Sequence, residues 1–534
     1  MPRFDQLPDE ILARILQVLF DETSDPNVDP NEYPIGDSNE KAFLETAMLS
    51  RRLYELGESA LCRRAFVKVA NDIDDVVEAR YGLYAVDAAT HSVSGFIYSS
   101  NINSIARKQR THLVQRVVLK LSDHPSPVTV TSALHSAGLL QRRWPSVRSL
   151  VIDYRGVFRD TPKQYPEIHS MQLAGLLLKS LPNAIALRYQ GHAREHYLKR
   201  MLGKFVRGSR RCLQSVHLET TELSMFSLNM FQPGLTFLRI SAYRGLAASE
   251  LPKVCARTLE HLAIAGLQPA DFWSRFYFDG HVLEFANLQT LELNFISPRP
   301  TVPLGRPLLA HAVFPRLRDL AISNYKFSIN GLLAIFPRAQ IHHLKVMEKS
   351  AGGQVDILPF VRLQTLVLND WHNKELERML ELPTFVHPLL DAPPGLRALT
   401  LFTLRTCSVQ ALRSRGLQRL TYLHLLCYDR ISTVDELATI DDFIADGRYA
   451  PVHLGITRLD ITGYQPEIED CEGFVEQLVC LMAGLPSLEC MSLNGLQDHY
   501  THAIRETITM HLHDTHIAPY IAHLHNVYIQ EITE

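Results

Sequence analysis

The apolar residues of this chain fall on a short cassette that recurs along most of its length. In Leu288-Gln289-Thr290-Leu291-Glu292-Leu293-Asn294, Leu291 and Leu293 lie two apart, so an extended strand turns both to one side. Leu288 leads in from the preceding turn, and Thr290, Glu292 and Asn294 face the other way. One such strand has a single apolar edge and cannot bury it alone, whereas a stack of them can. Full copies are Val147/Leu150/Ile152, Leu213/Val216/Leu218, Leu235/Leu238/Ile240, Leu259/Leu262/Ile264, Leu288/Leu291/Leu293, Leu317/Leu320/Ile322 and Ile341/Leu344/Val346. Leu363/Leu366/Leu368, Leu396/Leu399/Leu401, Leu420/Leu423/Leu425, Ile456/Leu459/Ile461 and Leu488/Met491/Leu493 continue the series. Weaker copies sit at Val114/Val117/Leu119, Ile185/Leu187 and Leu524/Val527/Ile529. With roughly 1.5–3 kcal/mol for each fully buried core leucine, this ladder is expected to dominate stability.

The copies are spaced by roughly 22 to 36 residues, within or just above the period of leucine-rich repeats. Segments between them carry helical periodicity that stops at a proline, as in Met171–Pro182 and Gly473–Pro486, because proline ends a helix and extends the residue before it. The series therefore resembles a leucine-rich-repeat protein. That resemblance implies an α/β horseshoe solenoid with irregular repeats over 113–534. Its concave face would be formed by the residues between the cassette leucines: Val151, His217, Arg239, Ala263, Glu292, Ala321, Lys345, Val367, Thr400, His424, Asp460 and Ser492. The polar members, His217, Arg239, Glu292, Lys345, Thr400, His424 and Asp460, are the candidate substrate-binding residues. Their mixed charge suits a folded protein or peptide better than nucleic acid. Longer excursions at 268–286, 298–314, 370–394 and 427–455 read as loops leaving the strand edges, where repeat proteins often place binding determinants.

The N-terminus has a different pattern. Over 3–20, Leu7, Ile11, Leu12, Ile15, Leu16 and Leu19 follow the helical period, with Pro8 in the first turn and Asp9 and Glu10 at the positive end of the dipole. A polar loop with three prolines separates it from a second helical region beginning near Glu40. Leu-Pro-x-Glu-Ile-Leu-x-x-Ile-Leu, a break, then Leu49-Ser50-Arg51-Arg52-Leu53-Tyr54-Glu55-Leu56 and a terminal Leu61-Cys62-Arg63-Arg64 together resemble an F-box. The inter-helix loop is longer than usual for that family, and Leu53-Tyr54 stands where many members carry a tryptophan. A surface insertion of this kind adds little closure entropy. The resemblance divides the chain into a small all-helical F-box at 3–65, a transition at 66–112 and the repeats. It implies that Leu7, Pro8, Ile11, Leu12, Ile15, Leu16, Leu49 and Leu53 dock a Skp adaptor on a cullin–RING core. On this reading the chain is a non-catalytic substrate receptor of a Skp–cullin–F-box ubiquitin ligase, its repeats holding an unidentified protein target. The competing reading is a leucine-rich scaffold without a ligase role, whose N-terminal helices only cap the stack.

Composition narrows the partners. The 534 residues are 21% charged and 46% hydrophobic with a net charge of −3, which gives no electrostatic reason to expect nucleic acid or an anionic membrane. Neither a run of about 18 apolar residues nor a signal-peptide pattern is present. The eight cysteines include no C-x-x-C pair, as in a reduced cytoplasmic or nuclear protein. Among 24 histidines chance motifs are expected. His192-Ala193-Arg194-Glu195-His196 matches the inverted zinc-protease motif but falls in a return segment, and His511, His513, His516, His523 and His525 fall where the stack should be capped. Asp25, Asn27, Asp29 and Asn31 lack the glycine and glutamate of a calcium loop. Phosphate-binding glycine loops and G-x-S-x-G are missing. No catalytic residue, metal or cofactor is expected.

Overall fold

Each cassette becomes a strand, and successive strands pair in parallel with their leucines side by side. The computed structural model describes residues 8, 11–12, 52, 62–70, 89–93, 95–122, 125–155, 166–191, 196–209, 211–220, 234–242, 255–267, 277–278, 281–282, 284–295, 314–325, 329–347, 356–368, 393, 395–401, 412–413, 417–427, 444–445, 448–463, 471–494, 499–513 and 518–532. The chain forms two compact units, the first Met1–Gly266 with Ser274–Leu283, the second Leu267–Trp273 with Glu284–Glu534.

In the first unit, β1 (Arg64–Ala70), β2 (Ala89–Val93), β3 (Phe96–Ser100), β4 (Arg116–Ser122), β5 (Ser149–Arg155), β6 (Ala186–Gly191), β7 (Ser215–Thr220), β8 (Phe237–Ala242) and β9 (His261–Leu267) form one sheet. β1 runs parallel to β4, and β4 to β9 follow in sequence order, all parallel. β3 lies antiparallel between β1 and β2. A small hairpin, β10 (Tyr277–Phe278) and β11 (His281–Val282), stands apart from that sheet.

In the second unit, β12 (Thr290–Phe295), β13 (Asp319–Ser323), β14 (His343–Met347), β15 (Thr365–Leu368), β16 (Ala398–Leu401) and β17 (Tyr422–Cys427) pair in order. A hairpin of β18 (Ile444–Ala445) and β19 (Arg448–Tyr449) interrupts the series. β20 (Arg458–Gly463), β21 (Cys490–Asn494) and β22 (Tyr528–Ile532) then complete nine parallel strands.

This architecture overturns the expected one. Eighteen strands, nine in each unit, belong to long, mostly parallel sheet, and helices are few among the described residues. The small all-helical N-terminal module followed by a leucine-rich-repeat horseshoe is therefore not the fold. Two physical reasons explain the miss. Among the described residues several cassettes are entered through a tight turn, with or without a helix before it, in which the leading residue donates its N–H three residues back. Such bonds run from Leu288 to Phe285 (3.2 Å), Leu363 to Phe360 (2.9 Å), Leu420 to Leu417 (2.9 Å) and Leu488 to Leu485 (3.0 Å). In addition, β1 to β3 carry no leucine cassette, and they place antiparallel pairing in the stretch before residue 113.

Register explains the core. Leu291, Leu320, Leu344, Leu366, Leu399, Leu423, Leu459 and Met491 are consecutive partners, none more than 2% exposed. Val117, Leu150, Leu187, Val216, Leu238 and Leu262 repeat the arrangement in the first unit. Behind the strands the turn residues pack on one another, with the rings of Phe285 and Phe314 5.6 Å apart and those of Phe314 and Phe336 5.7 Å apart. Where β1 outruns β3, side chains satisfy its backbone. Asn101 accepts from Phe66 N–H (2.9 Å) and donates to the Arg64 carbonyl (3.0 Å), while Ser100 donates to the Phe66 carbonyl (2.9 Å). The helix Pro127–Ser136 starts with proline at its first position, and the Ser126 hydroxyl accepts from Thr129 N–H (3.0 Å). Helices Glu167–Ser180 and His196–Gly208 pack against each other.

Two glycines test this packing with opposite signs. Gly191 has φ +147°, and a Cβ there would run into the backbone carbonyl of its register partner Tyr154. Gly175, inside a helix, would meet only the tip of Lys204 at 4.0 Å. Gly191→Ala should destabilise by about 2 kcal/mol or more, whereas Gly175→Ala should stabilise by up to about 1 kcal/mol. Urea unfolding midpoints check both.

Candidate functional site

With the leucines turned inward, the other side chains of each strand form rows across the opposite face, about 4.8 Å from strand to strand. In the second unit the middle row reads Glu292, Ala321, Lys345, Val367, Thr400, His424, Asp460, Ser492 and Gln530. A flanking row two residues earlier includes Thr290, Asp319, His343, Tyr422, Arg458 and Tyr528. In the first unit the middle row includes Val151, Arg188, His217, Arg239 and Ala263.

The densest polar cluster centres on Asp460. Its carboxylate accepts two bonds from Arg458, from Nε at 2.9 Å and Nη2 at 3.1 Å, and a third from the Tyr422 hydroxyl at 2.8 Å. The Arg458 guanidinium also lies over the Tyr422 ring, 5.6 Å from its centre. Arg458 is half-exposed while Asp460 is buried, so the bidentate pair holds a buried charge that would otherwise be costly. Burial, reinforced by the bond to Asp460, pushes the Tyr422 phenol up, fixing it as a donor. Beside it, His424 Nε2 and Thr462 Oγ1 are 2.8 Å apart. Burial pushes the His424 imidazole below its ordinary range, and Asp460 partly offsets this. A smaller relay joins Thr290, which donates to Asp319 at 3.0 Å, with His343, 3.9 Å from the same carboxylate.

The first unit presents a different site. His217, between Arg188 and Arg239 in register, is 4% exposed, and its Nδ1 has no hydrogen-bond partner. Burial, with the positive charges of Arg188 and His261 added, drives its pKa down to about 3. His261 stacks on Phe237 at 4.3 Å, nearly parallel.

The sequence-predicted residues are therefore spread over two units. His217 and Arg239 are neighbours in the first, while Thr400, His424 and Asp460 are consecutive neighbours in the second. Glu292 and Lys345 stand two strands apart in the second unit's row, with Ala321 between them. Lys345 is exposed, Arg239, Glu292 and His424 are half-buried, and His217, Thr400 and Asp460 are buried. Arg188, Tyr422 and Arg458 were missed. Arg188 sits in the copy lacking its leading residue, and the other two lie in the flanking row, which the same alternation would have supplied.

Of the predicted adaptor-binding residues, Pro8, Ile11 and Leu12 are described. The N–H groups of Ile11 and Leu12 both donate to the Pro8 carbonyl, at 3.1 and 3.0 Å, opening a helical turn. Ile11 is 47% exposed and Leu12 is 1% exposed. Leu7, Ile15, Leu16, Leu49 and Leu53 lie outside the described residues, as do His192, Glu195, His516 and the Asp25–Asn31 stretch. His511 lies 3.8 Å from Glu476, whereas His523 Nε2 lies 3.2 Å from the Leu485 carbonyl, so these two turn to different partners. Among the described residues no group of three or more His, Cys, Asp or Glu could hold a metal ion, and no helix is long and apolar enough to cross a membrane. No protein-family model matches the chain, and no curated protein matches it.

Buried neutral histidines make stability depend on pH. At His453, Gly455 N–H donates to Nδ1 at 3.0 Å, which leaves Nε2 to donate to the Leu417 carbonyl at 2.7 Å. Its pKa, like those of His217 and His424, lies below the ordinary 6.5, chiefly through burial. Below 6.5 the unfolded chain takes up protons that the folded chain refuses. The contribution is thus complete above 6.5 and is lost as pH falls. For His217 alone the loss should reach about 2 kcal/mol between pH 6.5 and about pH 5. Urea midpoints measured across that range should fall, and His217→Gln should flatten the slope.

Proposed function

We propose that this chain is a non-catalytic protein-binding subunit whose outer sheet faces hold a protein target. Its N-terminal segment docks the Skp adaptor of a cullin–RING ubiquitin ligase. The observation that carries the binding half is the outer face itself: side chains on adjacent strands, pre-positioned by a backbone whose register the buried leucines fix. Arg458, Asp460 and Tyr422 are held by one another, and His424 by Thr462, before any partner arrives, so little side-chain entropy remains to be lost on binding. The adaptor half is supported by the Leu7-Pro8 to Leu16 pattern and by the exposure of Ile11 next to buried Leu12. An exposed isoleucine on an amphipathic turn is the form that a helix-in-groove contact takes. The subunit's contribution to rate would be proximity, raising the effective concentration of target lysines near a charged enzyme. A cytoplasmic or nuclear location follows from that role.

Ile11→Asp separates docking from folding, because a half-exposed side chain away from the core changes stability by about 0.5 kcal/mol or less. Adaptor recovered by the variant should fall at least about tenfold relative to wild type, with the melting temperature unchanged. Equal recovery from both proteins, or none from either, would remove the ligase role and leave an interaction protein.

A further inference from the structure

We propose that the edge of the first unit where the chain enters β5, β6 and β7 docks a short acidic segment of a protein partner. The choice of a protein as occupant rests on the protein-binding reading above, but the surface is separate from the outer sheet faces. The three strands are entered at one level. Arg148 N–H donates to the Gln115 carbonyl (2.7 Å), Ile185 N–H to that of Arg148 (2.8 Å) and Gln214 N–H to that of Ile185 (2.7 Å). The turns before these strands therefore lie side by side, about 4.8 Å apart from one strand to the next. Trp144 N–H ties the first of them to the Ser180 carbonyl at the end of helix Glu167–Ser180 (2.8 Å). Arg142, Arg143 and Arg148 flank the first turn, Lys179 precedes the second, and Arg207 and Arg211 flank the third, all of them exposed. Arg207 keeps its Nε on the Gly203 carbonyl of its own helix (3.1 Å).

Carboxylates are absent from the described residues of these turns. The acidic residues described between 101 and 220 are Asp153, Glu167 and Glu219. Asp153 and Glu219 share a register level at the far ends of β5 and β7, about 13 Å from the strand starts. Glu167 opens its helix, about 18 Å from Lys179 near the other end. Attraction of cations to helix C-termini accounts for Lys179 and Arg207, but Arg142, Arg143, Arg148 and Arg211 lie beyond the helices. Turns before the second unit's strands also carry arginines, but there Glu284, Asp356 and Glu489 stand among them, and Arg338 lies 4.0 Å from Asp356.

The chemistry of the edge selects its occupant. Guanidinium forks match carboxylates in plane and in donor spacing, and the three turns span about 10 Å, the length of three or four extended residues. A nucleic-acid duplex would run past so short an edge onto a chain of net charge −3. Single strands bind on aromatic faces, whereas Trp144 and Phe205, the aromatic residues described on this edge, are buried. Trp144 Nε1 donates to the Leu139 carbonyl at 3.0 Å. A membrane-binding edge joins basic residues to apolar ones that insert. Exposed Val128 and Ile168 sit instead in the first turns of helices Pro127–Ser136 and Glu167–Ser180, at the ends away from this edge.

The test uses the full-length protein and a fluorescein-labelled oligoglutamate peptide, with duplex DNA and phosphatidylserine-containing vesicles as competitors matched in charge. Binding should be saturable and weaken with salt, and Arg142→Glu/Arg143→Glu/Arg148→Glu should lower affinity at least about tenfold. Arg318→Glu/Arg362→Glu/Arg419→Glu makes the same charge change on exposed arginines of the second unit and should bind like wild type. Hydrogen–deuterium exchange of the wild-type protein should show 137–148 and 178–186 protected by the peptide. Equal affinity of the two triple variants would overturn the proposal, as would protection confined to other segments or equal competition by DNA or vesicles. If the first variant does not fold, the wild-type exchange pattern and the competitions decide. Adaptor capture by the same preparation reports separately on the ligase reading, so loss of one leaves the other standing.

Discussion

Parallel pairing in fixed register is the constraint on which the rest of the structure depends. A strand that commits alternate side chains to burial leaves the others facing the opposite way, and sliding it by one residue would exchange the two sets. Leu291, Leu320, Leu344 and their successors occupy one level of the second unit's interior because any other register would put leucine in water. Each step also settles the backbone, since the residue before a strand is tied to the previous strand, as Arg318 N–H is to the Gln289 carbonyl at 2.8 Å. Outer-face residues are therefore carried to their positions by contacts in which they take no part.

That independence allows the two outer faces to differ. Around Asp460 the polar groups satisfy one another, and removing any member would leave a buried charge or donor exposed to its desolvation cost. At His217 one buried imidazole nitrogen has no hydrogen-bond partner. Both clusters rest on the same kind of ladder and the same leucine levels. The difference lies wholly in side chains that the core does not constrain, which is how one backbone plan supplies two differently bonded polar faces.

The ladder was legible in the sequence because its period is local: Leu288, Leu291 and Leu293 lie within six residues of one another. The architecture was not, because the turns that lead into the strands carry no apolar period of their own, and because β1 to β3 pair without any leucine signal. The degree of burial on the outer face was illegible for a related reason. His217 reads as a surface residue from its place between Val216 and Leu218, yet what encloses it comes from strands some 20 to 30 positions away in the chain, about 4.8 Å away in space. The Tyr422–Arg458–Asp460 cluster shows both halves of the lesson. Its rows follow from alternation, but the bidentate bond and the ring stacked beneath the guanidinium depend on which residues two distant cassettes happen to bring together.

The histidines carry the argument one step further. His217, His424 and His453 are all held neutral, yet for different ends: His453 uses both ring nitrogens to tie a turn, His424 uses one to reach Thr462, and His217 leaves Nδ1 unused. Burial costs each of them its charge, but only the first two regain hydrogen bonds in exchange. A buried polar atom with no compensating bond is retained against a standing penalty of about 1–3 kcal/mol. At His217 that penalty adds to the cost of the lost charge, whereas at His453 and His424 a hydrogen bond offsets it.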